Sequence, residues 1–330
     1  MANARLSGGI RRRLLTDRGK TDSDRTPRMQ DQKAMSNAAW GALLVLSTIW
    51  GGSFLAVEFA LRDLPVLTIV AQRVFVAMLV VWAVVAFRRR TLPRSFRVWF
   101  GFLIMGVLNN ALPFSLLTYG QVFIESGLTS ILNATTALFG VFLAAIFFRD
   151  ERLTLNKSTG VLLGFGGVLL TIGPATLLSF DPGAIAQLAV LAATLSYAFA
   201  GIWARHMLSG QSGDIAAAGM LTGSSLVMVP VALFYDGWPG LDLAPETWIA
   251  LGFYDVIATA LAYLLYYRVL RMAGSGNLML VTLFVPVVAI LAGALVLGEV
   301  LAPQALAGFA IMALGMVILD GRLIAWLRQG

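Results

Sequence analysis

The sequence predicts an all-α membrane protein: ten transmembrane helices arranged as two inverted five-helix repeats, with both termini in the cytoplasm. Three observations lead there. Hydrophobic residues fill 58% of the 330 positions and charged residues only 12%, about half the charge of a soluble domain. That much apolar surface cannot be hidden in a soluble protein of this size, because surface does not shrink fast enough with mass. The apolar residues also fall in runs of about 20, the length that crosses a bilayer. Finally, basic residues gather in alternate gaps between those runs. Composition thus excludes a soluble enzyme, a disordered chain and a fibrous repeat.

In chain order the runs are Ala39–Phe59, Leu64–Phe87, Val98–Gly120, Gly127–Phe148, Ser158–Leu178, Gly183–Ala204, Ile215–Tyr235, Thr247–Tyr267, Met272–Gly298 and Pro303–Leu319. Only a short, mildly polar joint, Tyr119–Gly127, separates the third from the fourth. With the N-terminus inside, the gaps at 88–97, 149–157, 205 and 268–271 and the C-terminal arginines 322 and 328 all fall inside. Of the 24 Lys and Arg residues, only Arg62, outside, and Arg73, within the second run, lie elsewhere. The outer Asp236–Glu246 loop is acidic. Residues 1–38 hold nine basic residues and few large apolar ones, and read as a disordered basic cytoplasmic tail. Met29 and Met35 are alternative starts, and Arg11–Leu15 lacks the apolar region that a twin-arginine signal needs. The net charge of +7 therefore reflects topology and contact with anionic lipid. No nucleic acid partner is expected.

The two halves echo each other. Tyr119 and Tyr267 are 148 residues apart, as are Glu151 and Glu299, Leu153 and Leu301, Gly160 and Gly308, and Gly167 and Gly315. Trp50 and Tyr197 are 147 apart. The copies, 39–178 and 183–324, hold five runs each. Five is odd, so the second copy enters the membrane from the opposite side. Inverted repeats typify secondary transporters, whose site lies near the midplane at the repeat interface.

Two charges lie deep, Arg73 in the second run and Asp255 in the eighth. Each is about 12 Å below the same surface at 1.5 Å per residue. An unpaired charge there costs about 2.5–3.5 kcal/mol on insertion scales. The pair is therefore expected to line one polar cavity, in contact or each satisfied separately. Further polar residues fall at helical spacing. Ser47, Trp50, Phe54 and Glu58 share a face. So do Ser126, Ser130, Asn133, Thr136 and Gly140, and Asp255, Thr259 and Tyr263. Asn109 and Asn110 precede Pro113, which frees the Asn109 carbonyl; Pro286 does the same to Thr282. Together these residues predict a central water-accessible cavity.

No catalytic machinery is legible. Cysteine is absent and His206 is the only histidine, so thiolate, iron–sulfur and multi-histidine metal chemistry are excluded. Gly19–Lys20–Thr21 lacks the glycine of a phosphate loop, because Leu14 stands there. Leu55 replaces the second glycine that a nucleophile elbow around Ser53 requires. No cofactor or metal is expected. Gly160, Gly164, Gly166 and Gly167 make a small-residue face for close helix packing, within the chain or in a homodimer.

Trp50–Gly51–Gly52–Ser53–Phe54, followed by Leu64–Pro65 and Arg73, resembles the opening of an EamA-type repeat. Asp150–Glu151 with Gly160 and Gly167, and Gly298–Glu299 with Gly308 and Gly315, resemble its closing end. On these residues the chain, over roughly Ala39–Ile324, is similar to the EamA family of the drug/metabolite transporter superfamily. The resemblance implies a ten-helix exporter of small metabolites, often amino acids or their derivatives. The family places a proline in the fourth helix of each repeat. Pro286 fits, but Leu138 stands at the matching position, which weakens the inference that the fourth helix bends like the ninth and points to asymmetric gating.

The expected protein is a multi-pass secondary transporter of the cell inner membrane, with the lipid bilayer and a small-molecule substrate as its partners. Trp50, Tyr197, Tyr254 and Tyr263 supply aromatic walls. Asn109, Asn110, Asn133 and Arg73 supply polar contacts, Arg73 to a carboxylate. Asp255 or Glu58 carries a proton that couples transport to the proton gradient. The alternatives are an integral membrane enzyme or partner protein acting on lipid-linked substrates, and a channel, for which no ring of like charges is seen.

Overall fold

The computed structural model describes residues 35–148, 151, 154–173, 181–207 and 210–320. The tail to residue 34, Arg149, Asp150, Arg152, Leu153, Arg322, Arg328 and the distal ends of both expected repeats lie outside the described residues.

Every described element is helical. Eight helices are long and apolar enough to cross a membrane: α1 (Asn37–Ala60), α2 (Val66–Phe87), α3 (Phe96–Gln121), α4 (Ser126–Phe147), α5 (Leu155–Ile172), α6 (Pro182–Met207), α7 (Gly213–Tyr235) and α8 (Pro245–Gly274). Two shorter apolar helices follow, α9 (Val281–Leu297) and α10 (Pro303–Leu319). The boundaries have local causes. The Ser36 hydroxyl accepts from Ala39 N at 3.2 Å and starts α1; Thr154 does the same for α5. Three helices, α6, α8 and α10, begin on a proline, whose fixed φ and missing N–H suit the first turn.

Four helices are irregular. Residues 107–111 of α3, 253–261 of α8 and 293–297 of α9 are π-helical. Pro113 explains the first, since its ring displaces the carbonyl of Asn109. In the second, the Thr259 hydroxyl donates to the Tyr254 carbonyl five residues back, at 2.7 Å. The fourth helix divides into Ser126–Asn133 and Thr136–Phe147. The fourth helix thus breaks without a proline, where Leu138 weakens that expectation. The Thr136 hydroxyl takes the Asn133 carbonyl at 2.8 Å, and the backbone crosses the gap with three-residue hydrogen bonds. The expected Met272–Gly298 run is also interrupted. Gly274 leaves the helix at φ 79°, and residues 279–280 form a turn where the Thr282 hydroxyl donates to Met279 O at 2.6 Å.

The helices pair closely. α5 packs on α10, α2 on α7, α1 on α9, and α4 on α6. α3 lies against α6 and α7, and α8 against α1 and α2. The α5–α10 seam runs backbone to backbone. A Cβ on Gly160 would stand 2.6 Å from the Gly315 carbonyl oxygen, and one on Gly167 2.6 Å from that of Gly308. Gly160, Gly164 and Gly167 of the small-residue face are thus used within the chain, and Gly166 is not. Large apolar side chains such as Leu162, Phe234 and Leu295 point outward, while Arg73 and Asp255 are buried, as expected of a bundle whose solvent is lipid.

Candidate functional site

A cavity of about 500 Å³ occupies the centre of the bundle. Most of its wall comes from α1, α2, α3, α4, α6, α8 and α9, and none of its lining residues belongs to α5 or α10. From α1, Trp50, Ser53, Phe54 and Val57 face it, the i, i+3, i+4, i+7 positions of one helix face. The Trp50 ring lies 5.8 Å from that of Tyr266. From α4, Ser130, Asn133, Thr136 and Gly140 of the expected stripe line it, while Ser126 does not and instead binds Glu299. Tyr197, Tyr254 and Tyr263 complete the aromatic wall.

Arg73 enters this cavity from α2 and is 7% exposed. Its Nε donates to Thr259 Oγ1 at 2.7 Å and its Nη1 to the Tyr254 hydroxyl at 2.6 Å. The guanidinium carbon lies 3.5 Å from the centre of the Phe114 ring and 4.0 Å from that of Tyr254. Hydroxyls and π faces therefore satisfy the charge. One expectation changes, the shared cavity, and of the two open alternatives for the charges direct contact is not seen. Among the described residues Arg73 makes no ion pair with Asp255, and Asp255 does not line the cavity. Asp255 turns toward α2, where its Oδ2 accepts from Gln72 Nε2 at 3.3 Å, and its buried Oδ1 has no hydrogen-bond partner among the described residues.

The two asparagines of α3 also separate. Asn109 lines the cavity and donates to the Tyr263 hydroxyl at 3.2 Å. Asn110 is fully buried behind it, donating to Ser224 Oγ at 3.2 Å and accepting from Tyr263 OH at 2.6 Å. Asn110 builds the wall and does not face the cavity.

Glu58 lies elsewhere again. It lines a second cavity, of about 570 Å³, with Arg62, Glu125 and Glu299. Gln121 lines both cavities and was not singled out in the sequence. Its Nε2 donates to Glu58 Oε1 at 2.8 Å and to the Phe54 carbonyl at 2.9 Å. The only sequence signal was a polar residue closing a long apolar run. Tyr266 and Tyr267 were also missed, although they follow Tyr263 at three and four residues.

At the end of the bundle that carries Glu299, two loops hold each other. Asp63, after α1, accepts from Ala244 N at 3.0 Å and from the Thr247 hydroxyl at the start of α8. Asp236, after α7, accepts from Thr68 N at 2.9 Å and Thr68 Oγ1 at 2.8 Å, at the start of α2. The Thr247 hydroxyl, and then the Ala244 amide, hold the Asp63 carboxyl below its ordinary value of 3.8. At the opposite end Asp214 binds Arg90 at 2.8 Å and Arg88 at 3.5 Å.

A bundle of apolar helices around a central cavity that holds a buried arginine and a few amides and hydroxyls is the architecture of a membrane transporter. The sequence relationships agree. The EamA-like transporter family matches residues 38–173 and again 184–319, and the chain belongs to that family. It is a multi-pass membrane protein. It is 24% identical over 275 residues to the uncharacterized transporter YoaV of Bacillus subtilis, covering 83% of this chain and 94% of that one. It is 26% identical over 287 residues to a probable amino-acid metabolite efflux pump of Salmonella typhimurium, covering 84% and 92%. A probable terminal-alkyne amino-acid exporter of Streptantibioticus cattleyicolor is 24% identical over 304 residues, covering 89% and 97%. A solved crystal structure shares the fold at a TM-score of 0.64 and 16% identity, covering 89% of this chain and 99% of that one.

Proposed function

We propose that the chain is a secondary transporter that exports small metabolites, amino acids or their derivatives, across the cytoplasmic membrane by alternating access. One observation carries this reading. The central cavity has Arg73 as the single charged residue among its described lining residues, within an otherwise apolar and hydroxyl-bearing wall. A charge at that depth is expensive to keep, and the planar fork of an arginine suits a carboxylate. Thr259 and Tyr254 engage two of its donors, and the rest of the fork serves the substrate. Asn109 and Asn133 supply further polar contacts, and Trp50, Tyr197, Tyr254 and Tyr263 hold the apolar part. Asn110 positions Tyr263. Asp255 and Glu58 are the coupling candidates, Asp255 because one buried carboxylate oxygen has no partner among the described residues.

In this reading the chain is ten spans in two inverted copies, 39–178 and 183–324, with both termini inside. The helix pairing supports it. Exchanging the copies turns α1–α9 into α6–α4 and leaves α2–α7 and α5–α10 unchanged. The glycine contacts obey the same exchange, since 160 with 315 becomes 308 with 167. The names of the relatives favour amino acids as the substrate class.

The test is thermal stabilisation of the purified protein across amino acids, nucleosides, sugar phosphates, polyamines and cationic drugs. Ligand at 100 times its Kd stabilises the fold by about 2.7 kcal/mol. A saturable shift with carboxylate-bearing compounds, lost in Arg73→Met, is expected. In proteoliposomes, Asp255→Asn is expected to keep that shift and lose accumulation against a gradient. Uphill transport by Asp255→Asn at the normal rate would remove Asp255 from coupling. Turnover of a lipid extract without any metabolite shift would favour the enzyme alternative.

A further inference from the structure

We propose that Gln121 and Glu58 form a gate between the central cavity and the cavity at the Glu299 end, and that Glu58 makes this gate selective for a substrate carrying an ammonium group. This rests on the reading of the chain as a transporter of amino acids or their derivatives, and names the group by which they are passed on.

The two cavities divide along two helices. On α1, Trp50, Ser53, Phe54 and Val57 line the central cavity, while Glu58, Leu61 and Arg62 line the second. On α3, Leu117 and Thr118 line the central cavity, and Val122 to Glu125, just beyond the helix, line the second. Gln121 is the one residue common to both described linings. It is 6% exposed, and its amide joins α3 to α1, donating to Glu58 Oε1 at 2.8 Å and to Phe54 O at 2.9 Å. The seam between α1 and α9 is of another kind. A Cβ on Gly51 would stand 2.5 Å from Val288 Cβ, so that seam parts only if a helix moves. The Gln121 bridge opens by rotation of one side chain between staggered torsions.

The chemistry of the bridge sets what displaces it. An amide N–H on a carboxylate is a charge-assisted hydrogen bond. An ammonium offers the same oxygen three donors and the opposite charge, so it outcompetes the amide. A neutral solute exchanges one donor for another, and an anion is repelled. The charge of Glu58 is available for this. Arg62 stacks on the Phe59 ring at 4.3 Å and makes no ion pair with Glu58. Of the other carboxylates on this cavity, Glu299 is held by Ser126 and Gly127, and Glu125 lies outside the bridge.

The gate complements Arg73. That guanidinium stacks on Phe114, seven residues before Gln121 in the α-helical part of α3, or about 10 Å at 1.5 Å per residue. An amino acid carries its carboxylate and ammonium on one carbon and does not span that distance. It meets the two sites in turn: its carboxylate binds Arg73 in the central cavity, and its ammonium then takes Glu58 as Gln121 swings aside. Glu58 thus serves the substrate, and Asp255 is left as the coupling candidate.

The chain has no cysteine. Gly140 lines the central cavity, and no atom lies within 4 Å of a Cβ added there. Gly140→Cys therefore reports access to that cavity. It is labelled in sealed vesicles from the Glu299 face with two impermeant methanethiosulfonates of similar size, one a trimethylammonium and one a sulfonate. Each rate is divided by that reagent's rate with free cysteine. The cationic reagent is expected to label faster by about tenfold or more, as for a charge-assisted contact. Gln121→Ala should raise both rates and keep their order. Gln121→Glu keeps the shape of the side chain, lacks the donor and should also raise the cationic rate, which keeps the test valid if Gln121→Ala folds poorly. Glu58→Gln should bring the two rates together, while Glu125→Gln should leave their ratio in place. Rates unmoved by both Gln121 variants overturn the gate. A ratio unmoved by Glu58→Gln, or lowered as far by Glu125→Gln, overturns the selectivity. Metabolite flux is measured separately in the unaltered chain. Flux with unmoved labelling sinks the gate alone; labelling that follows the gate without flux sinks the transport reading and leaves the gate standing.

Discussion

Alanine at Gly167 should loosen the α5–α10 seam by a predictable amount. The new Cβ would lie 2.6 Å from Gly308 O, 2.6 Å from Met312 N and 3.0 Å from Met312 Cα. Ordinary contacts begin near 3.5 Å, so α10 must retreat by about 1 Å locally, forfeiting up to half of the dispersion energy of neighbouring contacts. The obstacles are backbone atoms, which cannot rotate aside as a side-chain end would. Overpacking of this kind costs about 1–3 kcal/mol. At about 2 °C per kcal/mol for a chain of this size, the unfolding temperature should fall by about 2–6 °C. Gly160→Ala faces Gly315 O at 2.6 Å and Leu319 N at 2.8 Å and should behave alike. The double variant should cost less than the sum, because one retreat of α10 relieves both contacts. Gly166→Ala is the control. No atom lies within 4 Å of its Cβ, and helix propensity alone should leave it neutral or stabilise it by under about 1 kcal/mol. Thermal unfolding followed by tryptophan fluorescence in detergent reads all four. Unfolding of Gly160→Ala and Gly167→Ala at the original temperature, or a fall as large for Gly166→Ala, would refute the reasoning.

Arg73→Lys keeps the charge but cannot reach Thr259 and Tyr254 while stacking on Phe114. Loss of one charge-assisted hydrogen bond is worth about 1.5–3 kcal/mol, so carboxylate affinity measured by thermal-shift titration should fall at least about tenfold. Asn110→Leu strips partners from Tyr263 and Ser224 and should destabilise the fold by about 1–3 kcal/mol. Asn109→Leu should spare stability and weaken ligand binding, so the two variants separate wall from site. Asp63 contributes its cap fully above its ordinary pKa of 3.8 and loses it as pH falls toward the lowered folded value. The difference in unfolding temperature between the unaltered chain and Asp63→Asn should therefore shrink as pH falls through 4.

Much of the site was legible because regular helices keep their register. The 50, 54 face of α1 follows from 3.6-residue spacing alone and reaches the cavity, and so does the Ser130–Asn133 part of α4 ahead of its break. Legibility ends where the helix is not an α-helix. Asp255, Thr259 and Tyr263 share a face at four-residue spacing, but the π segment at 253–261 lengthens the turn. Asp255 therefore swings to Gln72 while Tyr254 and Tyr263 stay on the cavity. Asn109 and Asn110 sit in the π segment at 107–111, and adjacent residues there could not be sorted into wall and cavity by pattern. Pro113 announced the first irregularity; no residue type announces the second. The break in α4 rests on a threonine hydroxyl, and threonine is too common in membrane helices to mark a break.

Asp63 and Asp236 bind across the same two loops in opposite directions. Parting those loops requires both aspartates to yield together, since each holds the helix that the other's loop precedes. Glu299 differs, because rotation of one side chain frees all three of its donors. That end therefore has a doubly tied side, where α1–α2 meets α7–α8, and a singly tied side, where α4 meets the corner between α9 and α10.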